Sequence, residues 1–306
     1  MYYILSLDGG GMRGLITLTV LERLVAAHPQ FLKKINLISG TSTGGLIALG
    51  LASGLSPYAL RNLYYEQGEK IFQDSWWDDL LDGGNLWGAE YDSQPLAHTT
   101  KLILGRKRLR DLRKKVLITT FDLEGRTQSR RKQGWKPKFF HNFDGSDSDG
   151  AVFAADVATY TTAAPIYFPS VDGFIDGGVC ANNPSMAALA QTQDPRAAIH
   201  PRPNLSDICM ISLGTGKVTR TLPEGNGDRG IVQWARPLID LMLDATTDLA
   251  DYQCRQLLRG HYQRITPFFS PDQNYHLDDW QARDELIGIG QQIDLRDTLS
   301  WLEKYW

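Results

Sequence analysis

The chain has 306 residues, 42% hydrophobic and 22% charged, with a formal net charge of −3 at pH 7; this is enough for a sizeable core and gives no global electrostatic case for a nucleic-acid partner. Its three cysteines, Cys180, Cys209 and Cys254, are far apart and odd in number, which argues against a disulfide framework or a metal knuckle and fits reduced thiols in the cytoplasm. No basic leader precedes the first strand-like run and no apolar stretch approaches the roughly 18 residues of a membrane span, so neither a secretory signal nor an integral anchor is expected.

The first predicted element is a strand, "YYILSL", a short apolar run that suits a buried parallel position. Helical spacing of Leu15, Leu18, Leu21, Leu24 and Val25 follows, ended by Pro29. Between them Gly9, Gly11 and Gly14 form G-x-G-x-x-G, readable as a pyrophosphate cradle or as a tight turn that needs positive φ. "INLISG" (35–40) is the second predicted strand. A dinucleotide site requires an acidic residue about 20 positions on, at that strand's end. "SGTSTGG" stands there instead, and the nucleotide reading fails.

Gly40-Thr41-Ser42-Thr43-Gly44 is a G-x-S-x-G sequence between a strand and the helical run "GGLIALGLASG". Small residues on either side allow a sharp elbow that lifts the Ser42 hydroxyl clear of the backbone. An ester carbonyl attacked by that hydroxyl develops negative charge on its oxygen, which pre-aimed N–H groups stabilise. Gly10 and Gly11 are the natural donors, having no Cβ to block close approach. Arg13 is read equally as an orienting cation of this loop or as a helix-surface arginine. Bulkier residues at Gly10 or Gly11 are expected to slow turnover without unfolding the protein.

Further along, Trp76, Trp77 and Trp87 lie in "DSWWDDLLDGGNLWGAEY", read either as a lid that touches lipid headgroups or as core. "KLILGRKRLRDLRKKV" carries eight basic residues and one acid; it is read as a solvated helix face or as an attractor of anionic headgroups. "SRRKQGWKP" adds a second basic stretch. Strands are predicted at "KKVLITTFDL", beside it at "PKFFHNF", and late in the chain at "DICMISLG", with loops at 144–150 and 223–230. The six histidines, at 28, 98, 141, 200, 261 and 276, occupy no conspicuous setting. The conspicuous candidate base is Asp176 in "FIDGGVCANNPS", although an Asp-Gly hairpin turn would read the same way. The alternation of strand and helix signals, with no repeat or long linker, predicts one mixed α/β domain.

"DGGGMRG", "GTSTG" and "DGGVCANNP", in that order, resemble the patatin-like phospholipases, and the likeness extends to "TTAAPIYFP", to "ISLGTG", and more weakly to "YQCRQLL" and "HYQRITPF". The resemblance implies a single domain over 1–306, with a central, mostly parallel β-sheet flanked by helices. It implies a lipid acyl hydrolase with nucleophile Ser42, base Asp176 without histidine, and an oxyanion hole at Gly9, Gly10, Gly11 and Arg13. The substrate class is phospholipid or another glycerolipid, cleaved through an acyl-serine, with no cofactor, no metal and no nucleic acid. Contact with membranes would be peripheral. The region of about 70–113 matches nothing in the family pattern and is read as a variable lid or cap. A catalytically weak lipid-binding or signalling protein on the same fold is the alternative. A carboxylate base should give activity an acidic pH dependence, raised to the extent that Asp176 is buried.

Overall fold

The computed structural model describes residues 1–72, 89, 91–125, 134–218, 230–270, 273 and 275–306. From the N-terminus, β1 (Tyr2–Leu7) leads through the glycine turn into α1 (Gly14–Ala27), and α2 (Phe31–Lys34) precedes β2 (Leu37–Thr41) and α3 (Thr43–Ser53). The middle of the chain forms α4 (Pro57–Phe72), α5 (Ser93–Leu104), β3 (Lys115–Asp122), β4 (Lys136–His141), α6 (Ala154–Thr162), β5 (Phe174–Asp176), α7 (Gly178–Ala181) and α8 (Ser185–Gln193). The remainder is β6 (Ile208–Leu213), β7 (Lys217–Val218), α9 (Ile231–Leu258), β8 (Tyr262–Ile265), β9 (Phe268–Phe269), α10 (Arg283–Gln292) and α11 (Arg296–Tyr305).

The main sheet has the order β4-β3-β2-β1-β6-β8. Its β1, β2, β3, β6 and β8 are mutually parallel, while β4 and β5 pair antiparallel with β3. Alternation along each strand sorts the core into two layers. Leu5, Ile38, Ile118 and Ile211 pack with α1 and α3 on one face, whereas Ile4, Leu37, Leu117 and Met210 pack with α8 and α9 on the other. Strands covered on both faces are near-continuously apolar, as β1 and β6 are, and their one serine each, Ser6 and Ser212, is buried and accepts from Ser185 Oγ.

Register brings two distant segments together. Thr119 of β3 pairs with Thr41 at the end of β2, and the next residue, Thr120, pairs with Asp176 at the end of β5. Because β4 occupies the other edge of β3 from Leu117 to Asp122, β5 takes up the β3 edge where β2 stops. Ser42 and Asp176 therefore arrive at one spot on the carboxyl edge of the sheet.

The basic run is not one helix face. It crosses the end of α5, a connection and the start of β3. Lys107 Nζ donates to Ser53 O (3.2 Å), and Lys114 Nζ to Lys33 O and Ile35 O (both 2.8 Å), so part of its charge satisfies carbonyls at the ends of α3 and α2. Trp76, Trp77 and Trp87, expected in a lid or core, lie outside the described residues. Among the described residues no helix is long and apolar enough to cross a membrane.

Candidate active site

Ser42 sits between β2 and α3 with φ 54° and ψ −125°, a conformation a non-glycine residue holds only when its surroundings enforce it. Its N–H donates to Thr161 Oγ1 (2.8 Å), whose hydroxyl in turn donates to Thr119 O (2.6 Å). Thr41 Oγ1 accepts from Thr119 Oγ1 and donates to Ala181 O, both at 2.6 Å, joining the elbow to the segment after Asp176. On the far side, Thr43 Oγ1 donates to the Tyr64 hydroxyl (2.7 Å). At Gly44 a Cβ would lie 2.2 Å from Leu7 O, so the elbow can nest against β1 only with glycine there.

Asp176 is 5% exposed. Burial raises its carboxyl to about 7, against the opposing effect of hydrogen bonds from the Ser42 side chain and from the Gly178 N–H, the latter 2.7 Å from Oδ1. An ordinary acidic carboxylate is thus the wrong expectation for its pH dependence, because the surrounding protein withholds water from the charge. The Asp-Gly hairpin alternative fails as well: Asp176 ends a strand that runs into α7.

The glycine loop is held from behind. Gly9 N–H donates to Asn182 O (3.1 Å), so Gly9, expected among the oxyanion donors, has no N–H to offer. Thr215 Oγ1 donates to Gly9 O (2.7 Å), and Gly10 O accepts from the Arg13 N–H (3.1 Å) and Arg13 Nε (3.4 Å). The N–H groups of Gly10 and Gly11 have no acceptor among the described residues. In a trans peptide the C=O and N–H point opposite ways, so carbonyls held by Thr215 and Arg13 turn these two N–H groups to the other side. Arg13 therefore acts on the loop through a carbonyl.

At the root of the loop, Arg264 Nη1 donates to Asp8 Oδ1 (2.9 Å) and Ser212 Oγ (2.7 Å), and both members of the ion pair are buried. Removing one partner of such a pair leaves an uncompensated charge in the interior. Arg264→Met is expected to lower unfolding free energy by about 3–5 kcal/mol, read from urea denaturation at neutral pH. A loss typical of a surface substitution would contradict the burial of this pair.

Two cavities meet at Tyr167 and Leu277. One, about 70 Å³, opens on Ser42 and Gly11 and is lined mainly by apolar side chains, among them Met12, Leu46, Phe72, Ile103 and Phe168; no histidine is among the described residues that line it. The other, about 230 Å³, is polar and lies behind the loop, with Arg13, Asn182, Thr215, Lys217 and Asp244 in its wall. A hydroxyl beside a buried carboxyl, two N–H groups without acceptors and an adjoining apolar chamber are the parts that acyl transfer requires. Thr161, Tyr64, Asn182, Thr215 and Arg264 escaped individual notice in the sequence, although all but Tyr64 fall within quoted motifs. Their partners lie too far along the chain for spacing to show them: Thr215 and Gly9 are 206 residues apart, Arg264 and Asp8 256.

A family model described as patatin-like phospholipase matches residues 5–189. A cGAMP-activated phospholipase of Pseudomonas aeruginosa is 32% identical over 304 residues, covering 97% of this chain and 86% of that protein. Patatin-like protein 1 of Oryza sativa subsp. indica is 29% identical over 349 residues, covering 95% and 80%. Among solved structures, human GIVD cytosolic phospholipase A2 aligns over 99% of this chain and 62% of its own, with 9% identity and a TM-score of 0.43.

Proposed function

Since the chain belongs to the patatin-like phospholipase family, we propose that it is a lipid hydrolase that cleaves carboxylic ester bonds of glycerophospholipids or related glycerolipids through a Ser42–Asp176 dyad. Ser42 Oγ attacks the ester carbonyl as Asp176 takes its proton. The Gly10 and Gly11 N–H groups receive the developing oxyanion, with Gly9 shaping the loop and Arg13 holding the Gly10 carbonyl. Asp176 then protonates the departing alcohol, leaving an acyl-serine. Water attacks this ester, gives its proton to Asp176, and Ser42 recovers that proton as the fatty acid leaves. No cofactor or metal enters the scheme.

The observation that carries this reading is the buried Asp176 carboxyl beside Ser42, raised to about 7. A base whose pKa lies near the working pH is matched to its task. The apolar cavity would take the acyl chain, with the cap read over about 70–113 contributing Leu96 and Ile103 to its wall. We read the whole of 1–306 as one catalytic unit that touches membranes peripherally while acting. The Pseudomonas relative's name makes cGAMP the first activator to add in assays.

The test is covalent capture. A fluorophosphonate probe is expected to label the protein at Ser42, located by peptide mass, and to leave Ser42→Ala unlabelled. Folded wild-type protein that resists the probe, with or without cGAMP, would overturn the reading.

A further inference from the structure

We infer that Thr215 is a positioning residue for the oxyanion donors: its hydroxyl fixes the peptide whose N–H is that of Gly10. This rests on the serine-hydrolase reading and adds to it a residue just past the end of β6, outside the segments that carry both dyad members.

Sheet register places Thr215. β6 runs parallel to β1 with Leu213 paired to Leu7, so two residues further on Thr215 stands level with Gly9. The ladder itself has ended there, and side chains take over its work. Thr215 Oγ1 donates to Gly9 O at 2.7 Å, and the residue is buried. That carbonyl belongs to the Gly9–Gly10 peptide, so fixing it at Thr215 sends the Gly10 N–H the opposite way. The threonine also fills the space that a side chain at Gly10 would need: a Cβ there would lie 2.1 Å from Thr215 Oγ1 and 2.5 Å from its Cβ. Thr215 lines the polar cavity and not the one that opens on Ser42, so it acts through the peptide and not on substrate. Without its hydroxyl the Gly9 carbonyl loses its fixed partner, and the peptide is free to rotate away from the reacting oxygen. Pre-organisation, the source of the donor's value, is then lost.

The experiment uses Thr215→Val, which keeps shape and removes the donor, beside Thr215→Ser, which keeps the donor. With a soluble short-chain ester, Thr215→Val is expected to lower kcat roughly tenfold, less than the 10²-fold or more of a donor removed outright. KM should hold within about twofold, because the bond acts on the transition state more than on ground-state binding. Thr215→Ser should restore most of kcat. A trifluoromethyl ketone, whose adduct with serine carries an oxyanion, should lose affinity in Thr215→Val by the same factor as kcat. If Thr215→Val does not fold, Thr215→Ser against Thr215→Ala carries the same comparison.

An unchanged kcat in folded Thr215→Val, a loss that lies in KM, or a loss that Thr215→Ser fails to recover would overturn the inference alone. A folded wild-type protein without esterase activity, with or without cGAMP, would overturn the serine-hydrolase reading and this inference together.

Discussion

Asp176→Asn is expected to lower kcat by on the order of 10⁴-fold or more, the scale seen when a residue of a nucleophile–base unit is disabled, while leaving the protein at least as resistant to unfolding. The amide is almost the same shape and can still accept the Gly178 N–H through its oxygen, but it cannot take the proton of Ser42. Stability follows from the sign of the pKa change. Asp176 titrates at 3.8 when unfolded and at about 7 when folded, so the folded state binds more protons between those values. Its favourable contribution is therefore complete below about 3.8 and lost as pH rises through about 7, above which a buried charge is carried at a cost of about 4 kcal/mol. Asn removes that charge, and thermal unfolding above neutrality should move up or stay level. Wild-type kcat/KM should rise with pH through about 7, as the carboxylate forms. A histidine titrates near 6.5, so the profile by itself does not separate the two bases; the variants do. Near-wild-type activity in Asp176→Asn, or a folded histidine variant as inactive as Ser42→Ala, would remove Asp176 from its role.

Gly10→Ala is expected to lower kcat by 10²- to 10³-fold, the range for loss of one oxyanion donor, with KM for a soluble ester little changed. The added methyl meets Thr215 Oγ1 at 2.1 Å. Either Thr215 turns and releases Gly9 O, or the loop is pushed off Thr215; both misplace the Gly10 N–H. Gly10→Ala and Thr215→Val disturb one peptide, so their effects should be strongly non-additive in a double-mutant cycle. Full additivity, or an unchanged kcat in folded Gly10→Ala, would place the oxyanion elsewhere. Gly11 is the poorer test, contrary to the expectation that bulk there spares the fold. It holds φ +54°, and a Cβ would lie 2.0 Å from Leu277 O, the acceptor of the Met12 N–H. Substitution there shifts a packed backbone segment as well as the donor.

Local signals were legible where one residue's neighbours in sequence are also its neighbours in space. β1, β2, β3 and β6 could be read because strands buried on both faces are mostly apolar, and the Ser42 elbow because a strand-to-helix turn that tight admits only small flanking residues. α9 was not legible. Its buried face carries Ala250, Cys254 and Leu258, yet its outward face carries exposed Leu238, Leu241, Leu249 and Tyr252, so the usual one-sided periodicity is blurred. The basic run was not legible as a break between elements for a related reason: charge shows that a side chain seeks a partner, not that for Lys107 and Lys114 the partner is a carbonyl at the end of another helix.

The order of three short motifs was sufficient to identify the family and to single out Ser42 and Asp176 as the proposed nucleophile and base, because each motif's backbone geometry is written in its own glycines. Which loop N–H groups are available, how far burial raises Asp176, and which residues hold the loop in place were decided only by the tertiary structure. Gly9 gives its N–H to Asn182, whereas the Gly10 N–H has no acceptor among the described residues and the carbonyl behind it is held by Thr215, two residues past the end of β6. Hydrogen-bond partners across the sheet and exclusion of water are properties of the packed molecule, and no local stretch of sequence contains them.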